Sequence, residues 1–191
     1  MKLNQKSNAT FYNRYPLIFM ECTKIIKQPN KILSFGCSTG LECQALNKIY
    51  FKNSKIVGLD INKDIIAHNN KNNKIANIEY FDDIDKMTQL HYQFNLVFVM
   101  SVLCRWPEKE GDYTFDTFNE TIYIINKLVV KNGYLCIYNS KFAFTDTTIF
   151  KQKYMIVDTI NKDSGFVHKY TPNNKQKIMN YPHYLFKKIN D

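Results

Sequence analysis

Gly36 and Gly40 bracket a short turn, Gly36-Cys37-Ser38-Thr39-Gly40, that leaves the apolar run Ile32 to Phe35 and enters a helical stretch. Glycine at both ends lets the backbone turn sharply and lets a ligand approach where a Cβ would otherwise stand. The N-terminus of the helix that follows offers free N–H groups to a polar ligand. Asp60 comes 20 positions after Gly40, at the end of the next apolar run. A carboxylate there can accept both hydroxyl protons of a ribose. Each feature alone has a plainer explanation, a strand–helix junction for the turn and a helix cap for Asp60. Their spacing, on consecutive strands of one pattern, points to a ligand that carries a ribose.

These residues need strands to hold them, and the apolar runs supply candidates. Lys31 to Phe35, Lys55 to Leu59, Ile78 to Phe81, Phe94 to Met100 and Tyr134 to Tyr138 read as buried strands. Between and before them, helical spacing covers Phe11 to Ile26, Leu41 to Phe51, Ile61 to Lys74 and Phe115 to Val130, the last stopped by Lys131-Asn132-Gly133. Alternating strands and helices with nearly continuous apolar strands predict an α/β fold, a doubly wound and mostly parallel sheet with helices on both faces. Gly165 to Tyr170 and Tyr184 to Lys188 are strand-like around a Pro-Asn-Asn turn and predict antiparallel strands at one sheet edge. The expected organisation is a single domain over residues 1–191: an N-terminal helical segment (1–30), a ligand-binding core (31–139) and C-terminal edge strands (140–191).

Composition narrows the function classes. The 191 residues are 45% hydrophobic and 23% charged, a globular mix that argues against disorder. No apolar stretch reaches the roughly 20 residues of a membrane helix, and Met1 to Thr10 carries no apolar signal core. Five cysteines without a CxxC pair read as reduced thiols, which predicts a cytoplasmic protein with neither a disulfide framework nor a zinc site. The formal charge of +9 would suit a polyanion. Yet Arg14 and Arg105 are the only arginines, and base readout leans on the arginine fork. Solvated surface lysines are the favoured reading, and nucleic acid is not the expected partner.

The motifs together resemble the class I S-adenosylmethionine-dependent methyltransferases, over roughly Lys31 to Tyr138. Gly36-Cys37-Ser38-Thr39-Gly40 resembles the first motif, which implies contacts from Ser34, Gly36, Cys37, Ser38 and Gly40 to the methionine part of S-adenosyl-L-methionine. Lys55 to Asn62 resembles the second, with Asp60 on the ribose and Ile61 beside it. Phe81-Asp82-Asp83 resembles the third, in which an acid, Asp82 or Asp83, faces the adenine amino group. Phe94 to Leu103 resembles the fourth strand and its loop, bringing Met100 and Ser101 to the cofactor. Asn132-Gly133-Tyr134-Leu135 resembles the approach to the fifth strand. The resemblance implies a Rossmann-like fold and a methyltransferase activity. Two positions depart from the pattern: Ser34 stands where the family usually has an acid, and Ser38 where it has glycine. Glu42 could replace the missing charge on the methionine ammonium. The Gly-Cys-Ser-Thr-Gly run is also similar to chemotaxis-receptor glutamate methyltransferases, whose separate helical domain does not fit within the 30 residues ahead of Lys31.

A nicotinamide fingerprint, G-x-G-x-x-G, and a phosphate loop are both missing from the chain. The loop after the fourth strand, Met100-Ser101-Val102-Leu103-Cys104-Arg105-Trp106-Pro107, lacks the signatures of amino-directed DNA methyltransferases and of cytosine attack. No Asp, Asn and His spacing resembles a Mg²⁺ site, so no metal is expected. Methyl transfer proceeds by orientation and desolvation with or without a base, so a catalytic residue need not show itself. The acceptor-site candidates are Arg105 and Trp106, which can clamp an anionic or planar substrate, with Tyr113 and the segment Asn139 to Phe144 opposite and His168 as a candidate base. Pairing of Arg105 with Glu108 or Glu110 is the plainer alternative. The expected acceptor is a small molecule; a protein acceptor and a catalytically silent methyltransferase-like binding module are the alternatives.

Overall fold

The computed structural model describes residues 9–105, 113–163 and 165–191. Five parallel strands make the centre of a seven-stranded sheet: β1 (Lys31–Phe35), β2 (Lys55–Leu59), β3 (Ile78–Phe81), β4 (Phe94–Met100) and β5 (Val129–Tyr138). After them come β6 (Tyr154–Ile156), a separate two-stranded ribbon of β7 (Lys169–Tyr170) and β8 (Lys177–Ile178), and β9 (Leu185–Lys188). The sheet order is β3-β2-β1-β4-β5-β9-β6, with β9 antiparallel to both neighbours. The helices are α1 (Pro16–Ile25), α2 (Leu41–Ala45, continued by a π-helical turn over Leu46–Tyr50), α3 (Lys63–Asn72), α4 (Ile84–Gln89), α5 (Phe115–Leu128) and α6 (Thr148–Lys153).

Strand alternation divides the core into two layers. From β4, Phe94, Val97 and Val99 join Phe118, Ile122 and Ile125 of α5. Leu96, Phe98 and Met100 join Ile18, Phe19 and Cys22 of α1, together with Leu46 and Ile66. Phe98 meets Phe19 edge-on at 5.1 Å. Both faces are therefore apolar and covered, which is why β4 reads as an apolar run interrupted only by Asn95. Each fully buried aromatic ring contributes about 2–3 kcal/mol. Among the described residues no helix is long and apolar enough to cross a membrane.

Two expectations need correction. Lys131-Asn132-Gly133 does not stop α5, which ends at Leu128 and passes directly into β5. Phe94 pairs with Val129 and Leu96 with Tyr134, so β5 carries three extra residues there, with Asn132 at φ 62°. The turn chemistry is spent on a bulge that lets Val129 pair early. Gly165 to Tyr170 does not join the main sheet; only Lys169–Tyr170 is a strand, and it pairs with β8. The edge position belongs instead to β6.

One buried carboxylate ties the N-terminal helix to the chain after β6. Glu21, 6% exposed, accepts hydrogen bonds from the backbone N–H of Ile160, from that of Asn161 at 3.1 Å and from the Tyr184 hydroxyl. Burial alone would raise its pKa, but these three donors outweigh it and hold the carboxyl below its ordinary 4.5. Glu21→Ala is expected to lower stability by about 3 kcal/mol at neutral pH, because it strands buried donors. A depressed carboxylate stabilises above its unfolded pKa and loses that contribution as pH falls through the folded one. Urea denaturation should therefore show the gap between variant and wild type closing below pH 4.5.

Candidate functional site

β1 and β4 are neighbours although their chain connections run to opposite sides of the sheet, so a crevice opens beyond their carboxyl ends. The turn after β1 lies there. Gly36 and Gly40 have φ of 78° and 77°. A Cβ on Gly36 would sit 2.4 Å from Val102 Cγ2, and one on Gly40 would sit 2.4 Å from the Tyr80 hydroxyl. Both glycines are thus required by conformation and by space. The N–H groups of Gly36 and Cys37 donate to Leu59 O at 2.7 and 3.0 Å, docking the turn on the end of β2.

Asp60, just past β2, locks the middle of that turn. Its Oδ2 accepts from Ser38 N–H at 2.8 Å, and its Oδ1 accepts from Asn62 N–H at 3.0 Å. Ser38 is held at φ 48°, and its carbonyl accepts from Asn69 Nδ2 at 2.8 Å. The cap of α3 is Asn62, whose Oδ1 accepts from Ile65 N–H, so Asp60 is not the helix cap. A carboxylate oxygen has two lone-pair directions, and each oxygen of Asp60 has spent one here. Asp60 and Ile61 are both half-buried at the crevice. Burial and the neighbouring Cys43 thiol push the Cys37 thiol well above its ordinary range, so it stays protonated.

Ser34, fully buried on β1, donates its hydroxyl to Glu42 Oε1 at 2.8 Å. Strand and helix thus present a carboxylate together where β1 alone has a serine. Burial raises the Glu42 pKa to about 7, against the lowering effects of the Ser34 hydroxyl and the Arg14 guanidinium. That guanidinium lies 5.2 Å from the Tyr15 ring centre, 5.6 Å from Phe11 and 6.0 Å from Phe166.

The expected acids after β3 have structural partners. Asp82 pairs with Lys86 at 3.1 Å, and the Asp83 side chain caps α4 through Asp85 N–H at 2.8 Å. At the end of β4, Met100 is buried and Ser101 takes φ 58°. Ser101 Oγ shares a 2.7 Å hydrogen bond with the Tyr15 hydroxyl and accepts from Asn139 Nδ2 at 2.9 Å. Asn139, itself at φ 54°, accepts from Phe166 N–H at 2.9 Å. Left-handed backbone at the ends of both β4 and β5 is strain of the kind that gathers at functional sites. No sequence signal marks Tyr15, because a tyrosine ahead of an apolar helix reads as core.

The acceptor-side candidates divide. Arg105 is half-buried beyond β4. Tyr113 is 2% exposed and stacks on Phe142 at 6.2 Å, joining it to the segment after β5. Trp106, with Glu108 and Glu110, lies outside the described residues. His168 is exposed, while its neighbour Lys169 is buried, so the chain turns the lysine inward where the histidine was the candidate. No sequence signal marks Lys169 among so many lysines. Among the described residues no cluster of three His, Cys, Asp or Glu side chains could hold a metal ion.

A family model described as a methyltransferase domain matches residues 26–183. No curated protein matches the chain. Among solved structures, PKMT2 from Rickettsia typhi in complex with AdoHcy is 20% identical with a TM-score of 0.50, over 66% of this chain and 25% of that one. The plantazolicin methyltransferase BpumL in complex with SAH is 16% identical with a TM-score of 0.47, over 63% and 44%. Coclaurine N-methyltransferase bound to N-methylheliamine and SAH is 15% identical with a TM-score of 0.46, over 63% and 33%. This chain spans between a quarter and a half of those structures, and the likeness is one of fold.

Proposed function

The chain belongs to the methyltransferase-domain family, and we propose that it binds S-adenosyl-L-methionine and transfers its methyl group to a small-molecule acceptor. The observation that carries this reading is the assembly of Gly36, Ser38, Gly40 and Asp60 at the carboxyl ends of β1 and β2, beside the switch in strand order. The residues fit the cofactor: Asp60 keeps lone-pair capacity for two ribose hydroxyls, and the pair of Ser34 and Glu42 offers a carboxylate to an ammonium. When bound, the cofactor supplies a methyl group on a cationic sulfur. Asp60 then orients the ribose, Glu42 holds the amino-acid end, and the Gly36–Gly40 backbone allows close approach. Met100 and Ser101 would border the reacting carbon, with Tyr15 and Asn139 fixing the Ser101 hydroxyl. We read residues 1–191 as one domain for this task. Five free, buried cysteines suit a reducing compartment such as the cytoplasm.

Calorimetric titration with S-adenosylhomocysteine tests the binding, and a turnover assay over a metabolite panel tests the transfer. Absence of binding by folded protein would overturn the reading; binding without turnover on any acceptor class would favour the silent module. Arg105 belongs to the acceptor side of this proposal. Arg105→Ala is expected to leave S-adenosylhomocysteine affinity intact and to cut transfer about tenfold, since loss of orientation alone has that effect. Unchanged transfer would return Arg105 to a structural role.

A further inference from the structure

Beyond β4 and β5, three segments meet that the cofactor reading does not use. Lys141 N–H donates to Leu103 O at 2.8 Å, and Tyr170 N–H donates to Lys141 O at 2.8 Å, binding the chain after β4, the chain after β5 and the ribbon strand β7 into one unit. Two donors inside this unit lack what buried donors need. Lys169 is 6% exposed, and its Nζ donates to Ser140 O at 3.0 Å and to Ser140 Oγ at 3.2 Å. No carboxylate among the described residues lies within ion-pair range of it. An ammonium has three donors, and two bonds to neutral oxygens with the Tyr181 ring at 5.2 Å leave it without an anionic partner among the described residues. The Tyr113 hydroxyl is buried and has no hydrogen-bond partner among the described residues. The segment Ser140 to Phe142 joins the two groups: Ser140 holds Lys169 and donates its hydroxyl to Phe142 O at 2.9 Å, and the Phe142 ring stacks on Tyr113 at 6.2 Å.

We infer that Lys169 and Tyr113 form a seat for the carboxylate of the acceptor, a monoanionic small molecule with an aromatic body. The inference rests on the proposed methyltransferase reading and names the acceptor class for that same site. A carboxylate supplies what is missing: a negative charge for one lysine and acceptor lone pairs for two unsatisfied donors. The surroundings choose the rest of the ligand. The Tyr181 ring centre lies 5.2 Å from Lys169 Nζ, and Tyr113 stacks on Phe142, so flat apolar faces flank the charge. Burial lowers the Lys169 pKa to about 8, partly offset by the nearby Cys104 thiol, so the side chain is still a cation at neutral pH. Arg105 follows Cys104 in the chain, and its charge acts on the Tyr113 hydroxyl.

The probe is benzoate, with benzamide as its neutral isostere, titrated into the full chain at neutral pH with S-adenosylhomocysteine present. Wild type is expected to bind benzoate at least tenfold more tightly than benzamide. Lys169→Met should abolish that preference and leave S-adenosylhomocysteine affinity unchanged, while Lys169→Arg, which keeps the cation, should retain part of it. Tyr113→Phe should weaken benzoate about threefold. Equal binding of the two probes by wild type, no benzoate binding, or a preference that survives in Lys169→Met would overturn the carboxylate seat. Should Lys169→Met not fold, Lys169→Arg and Tyr113→Phe decide: benzoate affinity unmoved in both overturns the seat. Wild type that prefers benzoate yet does not bind S-adenosylhomocysteine would overturn the cofactor reading alone.

Discussion

Asp60→Ala is expected to weaken S-adenosylhomocysteine binding about a hundredfold. Two ribose hydroxyls donating to one carboxylate are charge-assisted bonds worth about 1.5–3 kcal/mol each, and the lower figure doubled corresponds to that factor. The substitution has a second effect, because Asp60 also holds Ser38 N–H at 2.8 Å and Asn62 N–H at 3.0 Å. Without the carboxylate, Ser38 keeps its bond from Asn69 but loses the one at its N–H that helps to hold it at φ 48°, and the turn is less well pre-shaped. Asp60→Asn separates the two contributions, since its side-chain oxygen can still accept one of the backbone bonds. The asparagine variant should bind more tightly than alanine and more weakly than wild type. Calorimetry on the three proteins checks it, and equal affinities would remove Asp60 from the ribose.

The second large effect is a pH dependence. Glu42 must be ionised to hold an ammonium, yet burial sets its pKa at about 7 in the free protein, against opposing help from Ser34 and Arg14. The groups that face it are the Arg14 guanidinium and, all neutral because burial raises their pKa values, the Cys37 and Cys136 thiols and the Tyr15 phenol. Glu42, at about 7, is the group in this cluster that changes charge between pH 5 and pH 7. Binding at pH 5 first has to remove its proton. With the bound carboxylate ionised throughout, affinity for S-adenosylhomocysteine should rise about fiftyfold from pH 5 to pH 7 and then level off. Glu42→Gln should bind weakly and without that slope. The same shift acts on folding with the opposite preference. The folded chain keeps a proton that the unfolded chain loses above 4.5, so Glu42 withdraws stability as pH rises from 4.5 towards 7. A flat binding profile in wild type would take Glu42 out of the cofactor site.

What the sequence reveals follows from how local each signal is. β1, β2, β3 and β4 match their apolar runs to the residue, because both faces of the sheet are covered and most positions of each strand are apolar, with Lys31, Ser34, Lys55, Glu79 and Asn95 as the polar exceptions. Gly36, Gly40 and Asp60 are legible because conformation and spacing restrict them within one short stretch. Signals that depend on distant chain are not legible. β6 is three residues long, includes the half-exposed Met155, and is a strand only because β9 arrives beside it. The residues 131–133 carry the chemistry of a helix stop, and nothing local reveals that Phe94 will pair with Val129 across them. His168 and Lys169 differ by one position, and strand alternation decides which faces inward only once the ribbon has docked. Glu21, Tyr15 and Asn139 likewise acquire their partners from segments far away in the chain.

The place of β9 between β5 and β6 has a consequence for biosynthesis. A ribosome releases β6 some thirty residues before β9, yet β6 pairs with the sheet only through β9. Until Lys188 emerges, the nascent chain presents the open edge of β5 and a stranded β6 whose proper neighbour has not been made. Open strand edges recruit other chains. Chaperone demand is therefore expected to concentrate on the interval in which residues 139–188 are being translated, and ribosome-bound chains truncated before β9 should show more chaperone binding than the full chain.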